Sequence, residues 1–143
     1  MGKTYQVSVP SDFNLVANDL LSGMTGEVLV IALSGDLGAG KTTFTQELAK
    51  NLGVTEPITS PTFTIMKQYE LSHDRFDTLV HIDAYRFEDE SEAEPLRLKE
   101  VFTQPRTIVC VEWPEQIASY IPESAVRVDI SITEGEVRVV TVA

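Results

Sequence analysis

The sequence predicts an α/β domain built on a mixed sheet of about seven strands flanked by helices. Two observations point to it. The apolar run at 28–33 is unbroken, as in a strand that is buried on both faces of a parallel sheet. Further along the chain, β-rich runs alternate with stretches whose apolar residues have helical spacing. With 143 residues, of which 43% are hydrophobic, the chain has the size and composition of one folded unit, so we expect a single domain over 1–143.

Each element follows from a local pattern. Residues 5–9 alternate like a half-buried strand, and a helix capped by Ser11 is expected to end at Gly23. A second helix of similar pattern ends at Gly53. The other predicted elements are strands at 28–33, 62–71, 76–85, 107–113, 125–132 and 137–142, and a short helix within 91–102 with Pro95 near its first turn. We expect the second and third of these strands to be a hairpin or neighbours, and the last two to form a closing antiparallel hairpin.

The composition excludes several kinds of function. The formal net charge is −11, so most of the surface would repel a nucleic-acid backbone. We therefore expect no direct binding to DNA or RNA. No apolar run approaches the roughly 20 residues of a membrane span, and the first residues lack the apolar core of a signal peptide. We therefore expect a cytoplasmic protein without membrane contact. The single cysteine, Cys110, lies in an apolar run and is expected to be a buried thiol.

The stretch GDLGAGKTT, residues 35–43, matches the pattern G-x-x-x-x-G-K-[ST] between a buried strand and an amphipathic helix. Glycines let backbone N–H groups surround a phosphate, and the helix N-terminus adds partial positive charge. Lys41 would reach the β and γ phosphate oxygens, and the Thr42 hydroxyl would bind Mg²⁺. The pattern predicts a P-loop NTPase-like domain whose nucleotide-binding residues are Gly35, Asp36, Leu37, Gly38, Ala39, Gly40, Lys41, Thr42 and Thr43.

Two carboxylates follow apolar runs, as the metal-binding acid of a P-loop protein does. Asp83 follows TLVHI and Glu112 follows TIVCV. Either acid could bind Mg²⁺, directly or through water, while the other orients or deprotonates the attacking water. The sequence leaves this division of labour open.

A third stretch, TSPTF at residues 59–63, would place Ser60 or Thr62 near the γ-phosphate and Mg²⁺ if it works as a nucleotide-sensing loop. Three further residues could belong either to the site or to ordinary packing and surface. They are His81, Arg86 and Trp113.

Taken in order, GDLGAGKTT, SPTF, HIDAYR and VEWPE resemble the TsaE family, over about residues 29–115. The resemblance implies an ATPase needed for threonylcarbamoyladenosine on tRNA, which binds ATP and Mg²⁺ and hydrolyses ATP slowly alone. It also implies partners, TsaB and TsaD, which modify adenosine 37 and would hold the tRNA, so that this chain meets tRNA only indirectly. Carried over by motif, Lys41 and Thr42 are the phosphate and Mg²⁺ residues, Asp83 is the metal carboxylate and Glu112 the catalytic acid. Ser60 and Thr62 fall in the switch-like loop.

One stretch departs from the family pattern. Between Glu92 and Phe102 the family often carries a glycine, whereas this chain has Arg97 there and adds Pro95. The family therefore gives no firm expectation for the local backbone or for a partner contact at this place. The nucleotide site is unaffected.

Three other functions share parts of these patterns. A small-molecule kinase would close an arginine-bearing lid, but the six arginines are scattered singly. A GTPase would carry a guanine-reading N/T-K-x-D, and the sequence has none. A regulatory subunit that binds nucleotide without hydrolysing it stays open, although two carboxylates at the expected places argue against it.

Overall fold

A computed structural model describes residues 3–23, 28–35, 40–54, 56–57, 65–85, 87–133, 135 and 137–143. The strands are β1 (Lys3–Val7), β2 (Val28–Gly35), β3 (Met66–Glu70), β4 (Thr78–Asp83), β5 (Thr107–Glu112), β6 (Val126–Ile132) and β7 (Arg138–Val142). The α-helices are α1 (Phe13–Gly23), α2 (Lys41–Asn51) and α3 (Leu98–Val101). Three 3₁₀ segments cover Pro10–Asp12, Glu90–Leu96 and Pro114–Tyr120. No helix in the described ranges is both long and apolar enough to cross a bilayer.

All seven strands form one sheet in the order β1-β7-β6-β2-β5-β4-β3. The four central strands, β6, β2, β5 and β4, run parallel, while β3 and β7 pair antiparallel with their inner neighbours. The structure thus confirms the predicted mixed sheet, the neighbouring pair β3 and β4, and the closing hairpin of β6 and β7. The carboxyl ends of the four parallel strands meet at one edge, where α/β sheets bind their ligands.

The two faces of the sheet are covered by different elements. On one face α1 and α2 pack on alternate residues of the central strands, including Phe44 of α2 against Ile31 of β2 in one buried cluster. On the other face α3 and two 3₁₀ segments pack on the intervening residues, among them Val111 of β5. Because β2 and β5 are buried on both faces, their sequences are continuously apolar.

The N-terminal elements differ in detail from the prediction. The first strand covers Lys3–Val7 rather than 5–9. Ser11 does not cap α1, because it lies inside the 3₁₀ segment that precedes the helix. Asp12 closes this turn instead, since its Oδ2 accepts hydrogen bonds from the backbone N–H groups of Ser8 at 2.8 Å and of Val9 at 3.2 Å.

The predicted short helix within 91–102 is two elements. A 3₁₀ segment holds Pro95 near its end rather than in its first turn, and the four-residue α3 follows it. Arg97 lies between them with φ of +52°, in the left-handed region. The break occurs because this left-handed conformation cannot continue a right-handed helix, and it is one that glycine adopts more readily than arginine.

Candidate functional site

The loop between β2 and α2 is bounded by two glycines whose backbone requires them. Gly35 has φ of +147° and Gly40 has φ of +112°, both outside the range that other residues favour. Helix α2 starts directly after Gly40, whose carbonyl oxygen accepts the first helical hydrogen bond, from the N–H of Phe44 at 2.8 Å. The predicted residues Asp36, Leu37, Gly38 and Ala39 lie outside the described residues.

Lys41, the first residue of α2, points back toward Gly35 at the end of β2 and is only 5% exposed. Its Nζ donates a hydrogen bond to the carbonyl oxygen of Gly35 at 2.9 Å. The same nitrogen lies 4.1 Å from the centre of the Trp113 indole ring, in a cation–π contact. A buried ammonium is therefore held at the carboxyl edge of the sheet by a carbonyl on one side and an aromatic face on the other.

Asp83 and Glu112 lie side by side at this edge. They end the neighbouring strands β4 and β5, and their Cα atoms are partners in the parallel register. Both belong to the face covered by α1 and α2, because they continue the alternation of Leu79 and Ile108. The strand register thus brings together the two carboxylates that the sequence predicted separately, next to the strand β2 that leads into the glycine loop.

Burial raises the pKa of the Asp83 carboxyl above its ordinary value of 3.8. The backbone N–H of Tyr85, which donates to Asp83 Oδ1 at 3.1 Å, works in the opposite direction. The negative charge of Glu112 raises this pKa further, and the nearby His81 and Lys41 lower it. Two carboxyl groups, one ammonium group and one imidazole thus lie close together at this edge of the sheet.

Glu112 is buried and hydrogen-bonded to a histidine. The Nε2 atom of His81 lies 2.5 Å from Oε2 of Glu112. His81 is completely buried on β4, and Glu112 is only 5% exposed. The pairing of β4 with β5 therefore brings His81 into hydrogen-bond contact with a predicted site residue.

Trp113 and Tyr85 stand at the rim of the site. Trp113 has φ of +58°, a strained conformation for a bulky residue, and this turn after β5 brings its ring under Lys41. The Tyr85 ring packs on it with centroids 5.1 Å apart and is 54% exposed. Tyr85 lies two residues beyond the end of β4, because this strand ends earlier than the predicted strand 76–85.

The remaining predicted residues divide into two groups. Thr42 and Thr43 lie in the first turn of α2 and are partly exposed, as ligand-facing residues are. Ser60, Thr62 and Arg86 lie outside the described residues, so their predicted roles stay predictions.

Sequence reasoning missed a pocket beside Thr43. Its volume is about 280 Å³ and it reaches from the end of β1 to β7; its lining residues are Val7, Ser8, Val9, Pro10, Phe13, Thr43 and Arg138. Phe13 also lies against Gly40, where an added Cβ would be 3.4 Å from the ring. The signal in the sequence is the apolar side chains of Val7, Val9 and Phe13, which also fit packing, so the pocket could be found only from the sheet order.

The sheet order, the glycine-bounded loop and the buried lysine at the start of α2 define a P-loop NTPase-like fold. Comparison with known proteins then shows the family. The sequence model of the family described as "Threonylcarbamoyl adenosine biosynthesis protein TsaE" matches residues 9–140. The chain belongs to the TsaE family.

Named relatives and a solved structure give the same answer. The protein named "tRNA threonylcarbamoyladenosine biosynthesis protein TsaE" from Bacillus subtilis (strain 168) is 43% identical over 112 residues, which are 78% of this chain and 67% of the relative. The protein of the same name from Treponema pallidum (strain Nichols) is 41% identical over 115 residues, or 80% and 81% of the two chains. A crystal structure of Bacillus subtilis YdiB matches with a TM-score of 0.78 and 30% identity, covering 99% of this chain and 84% of that one.

Proposed function

We propose that residues 1–143 act as one cytoplasmic P-loop ATPase domain that binds and hydrolyses Mg-ATP to support a TsaB–TsaD complex in N6-threonylcarbamoyladenosine modification of tRNA position 37. One observation carries the proposal. The buried Lys41 ammonium and the carboxylates of Asp83 and Glu112 meet at the carboxyl edge of three adjacent parallel strands. This is the arrangement that phosphoryl transfer from a nucleotide requires.

The phosphates would bind at the start of α2. The first N–H groups of this 11-residue helix lack helical partners and carry partial positive charge. Lys41 needs only to exchange its hydrogen bond with the Gly35 carbonyl for phosphate oxygens. Because both sides of this exchange are hydrogen bonds to oxygen, moving the ammonium costs little.

The donor set fits Mg²⁺. Within the described ranges no group of three or more His, Cys, Asp or Glu side chains can hold a metal ion on protein ligands alone. Mg²⁺ at nucleotide sites takes only one or two protein oxygens and completes its shell with phosphate and water. Thr42 and Asp83 would supply those oxygens, with Glu112 direct or through water. The ion would neutralise charge on the phosphate oxygens.

Glu112 would orient the attacking water and accept its proton. The carboxylate ends a central strand, next to Asp83 in the register, so it can face the γ-phosphate while Asp83 faces the metal. The site is largely closed to solvent at Lys41 and Glu112, which strengthens its electrostatic interactions.

The nucleoside would occupy the pocket beside Thr43. A volume of about 280 Å³ with one apolar wall, from Val7, Val9 and Phe13, suits a base and part of a ribose. The polar groups of Ser8 and Arg138 at its border could contact the ribose or the α-phosphate. The pocket adjoins the first turn of α2, so base and phosphates would lie on one continuous surface.

The names of the two relatives support a place for this activity in threonylcarbamoyladenosine biosynthesis. The acidic surface supports an indirect relation to tRNA, since a net charge of −11 disfavours binding to a phosphate backbone. TsaB and TsaD would hold the tRNA, while ATP turnover resets their complex between rounds.

The proposal is tested by titration calorimetry with Mg-ATP. Lys41→Ala should abolish tight binding, because phosphate contacts to a cation are each worth about 1.5–3 kcal/mol and the helix terminus alone cannot replace them. Lys50→Ala is the matched control, since Lys50 lies on the same helix and its side chain is 71% exposed. Wild-type affinity in Lys41→Ala would refute the phosphate assignment.

A further inference from the structure

We propose that His81 is a positioning residue for Glu112, fixing one oxygen of its carboxylate so that the other serves the attacking water. The inference rests on the proposed function and deepens it. It starts from the 2.5 Å contact between His81 Nε2 and Glu112 Oε2, which is buried on both sides.

The surroundings of the two ring nitrogens of His81 indicate that Nε2 carries the proton. An ionised carboxylate only accepts hydrogen bonds, so Nε2 of His81 must donate. Within the described part of the chain, Nδ1 of His81 is buried without a hydrogen-bond partner. The contact therefore needs a proton on Nε2, which faces the carboxylate, while Nδ1 has no group to donate to among the described residues.

This contact restricts a side chain that would otherwise be mobile. A glutamate has a broad terminal torsion, so its two oxygens can exchange places unless one of them is held. His81 holds Oε2 from the neighbouring strand, and His81 itself cannot move, because it is completely buried beside Cys110, its partner in the β4–β5 register. Oε1 of Glu112 is then left in a fixed place for the reaction.

The Asp83 carboxylate, like that of Glu112, accepts a hydrogen bond on one of its two oxygens. One of its oxygens accepts the backbone N–H of Tyr85, while one oxygen of Glu112 accepts His81. Each carboxylate is thus fixed from the protein side and keeps one oxygen for the ligand. Because both are at the ends of central strands, their separation is set by the sheet, as a precise site needs.

A purely structural role for His81 predicts something different. A histidine that only filled space could be replaced by an apolar residue at no cost beyond stability. At this position an apolar residue would leave the buried Glu112 carboxylate without its partner.

The first test uses the protein without nucleotide. The chain has two histidines, His73 and His81, so ¹⁵N-edited spectra of the imidazole groups can be assigned with a His73→Gln variant. We expect His81 to show a protonated Nε2 with a strongly deshielded proton that moves upfield in Glu112→Gln. A proton on Nδ1 alone, or an Nε2 signal indifferent to Glu112→Gln, would overturn the inference.

The second test separates binding from turnover. In His81→Leu we expect the Kd for Mg-ATP to stay within about threefold and kcat to fall about 10²-fold, the effect of a misplaced reacting group. His81→Gln can place an amide N–H near the same point and should recover most of kcat. Leu79→Ala is the matched control, because Leu79 is also fully buried on the same face of β4, and it should keep kcat per folded molecule.

Turnover of wild type, Lys41→Ala and His81→Leu distinguishes failure of this inference from failure of the proposed function. Wild-type turnover that is lost in Lys41→Ala but unchanged in His81→Leu would overturn only the role of His81. Equal turnover in wild type and Lys41→Ala would overturn the proposed function, and the inference with it. If His81→Leu does not fold, His81→Gln and the imidazole spectra decide, and an unprotonated Nε2 counts against the role.

Discussion

The ammonium nitrogen of Lys41 lies 4.1 Å from the centre of the Trp113 indole ring. Trp113 is the single tryptophan of the chain, so tryptophan fluorescence reports on the surroundings of this one ring. Saturating Mg-ATP should shift or quench the emission, because Lys41 would move from the ring toward the phosphates. Lys41→Ala should show no saturable change. A flat emission in wild type, while calorimetry reports binding, would contradict the proposed movement.

Replacing Glu112 by glutamine should leave Mg-ATP binding nearly intact and lower turnover by about 10²–10⁴-fold, the contribution of a general base. The amide oxygen can still accept the hydrogen bond of His81 at 2.5 Å, so the fold around the site should persist. Calorimetry and single-turnover hydrolysis measure the two effects. Unchanged hydrolysis would move the catalytic role elsewhere, first to Asp83.

Replacing Asp83 by asparagine should raise the Mg²⁺ concentration needed for ATP binding by at least about tenfold, since one contact to a charged group is worth about 1.5–3 kcal/mol. A Mg²⁺ titration at fixed ATP measures this. Asp74→Asn is the control, because Asp74 is exposed in the turn before β4, at the opposite end of that strand. An unaltered titration would remove Asp83 from the metal site.

Cys110 should resist thiol reagents in the native state. Burial raises the pKa of its thiol from 9.0 to about 12, with the negative charge of Glu112 as a smaller contribution. The folded state therefore keeps a proton that the unfolded state loses above pH 9, and stability falls as pH rises toward 12. The slope from this group is about −1.4 kcal/mol per pH unit. Urea unfolding at pH 8–11 should show this slope in wild type and lose it in Cys110→Ala; identical pH dependence would contradict the buried thiol.

Arg97→Gly should stabilise the protein by about 0.5–1 kcal/mol, because glycine removes the cost of about 1–2 kcal/mol for the left-handed conformation and loses part of it as chain entropy. Thermal unfolding should shift upward by roughly 2–4 °C. Arg97→Ala is the matched control: it also loses the 3.9 Å contact to Glu100 but keeps a Cβ, so it should show no gain. Equal behaviour of the two variants would contradict backbone strain at Arg97.

Much of the fold could be predicted because its signals are local. The continuous apolar runs of β2 and β5 follow from burial on both faces, and the alternation in β6 and β7 follows from partly exposed positions. The short elements were harder. Arg97 and Pro95 divide the stretch 90–101, and only its packing on the sheet decides which turns are 3₁₀ and which are α.

The part of the candidate site that lies within one short chain segment could be predicted from the sequence. Gly35, Gly40 and Lys41 are close in sequence, so their meeting needs no tertiary information. The partnership of His81 with Glu112 spans 31 residues and depends on the register of β4 with β5, and a one-residue slip would have turned the two side chains to opposite faces. The sequence places Asp83 and Glu112 at strand ends, but it does not show which side chains of the two strands lie next to each other.

The central claim is tested most directly by the rate of Mg-ATP hydrolysis by the purified protein, alone and with a TsaB–TsaD pair, with Lys41→Ala as the blank. The account predicts slow turnover alone, stimulation by the pair, and loss of both in the blank. Binding of Mg-ATP without turnover, whether or not the pair is present, would contradict it and favour a regulatory subunit whose bound nucleotide only stabilises its structure.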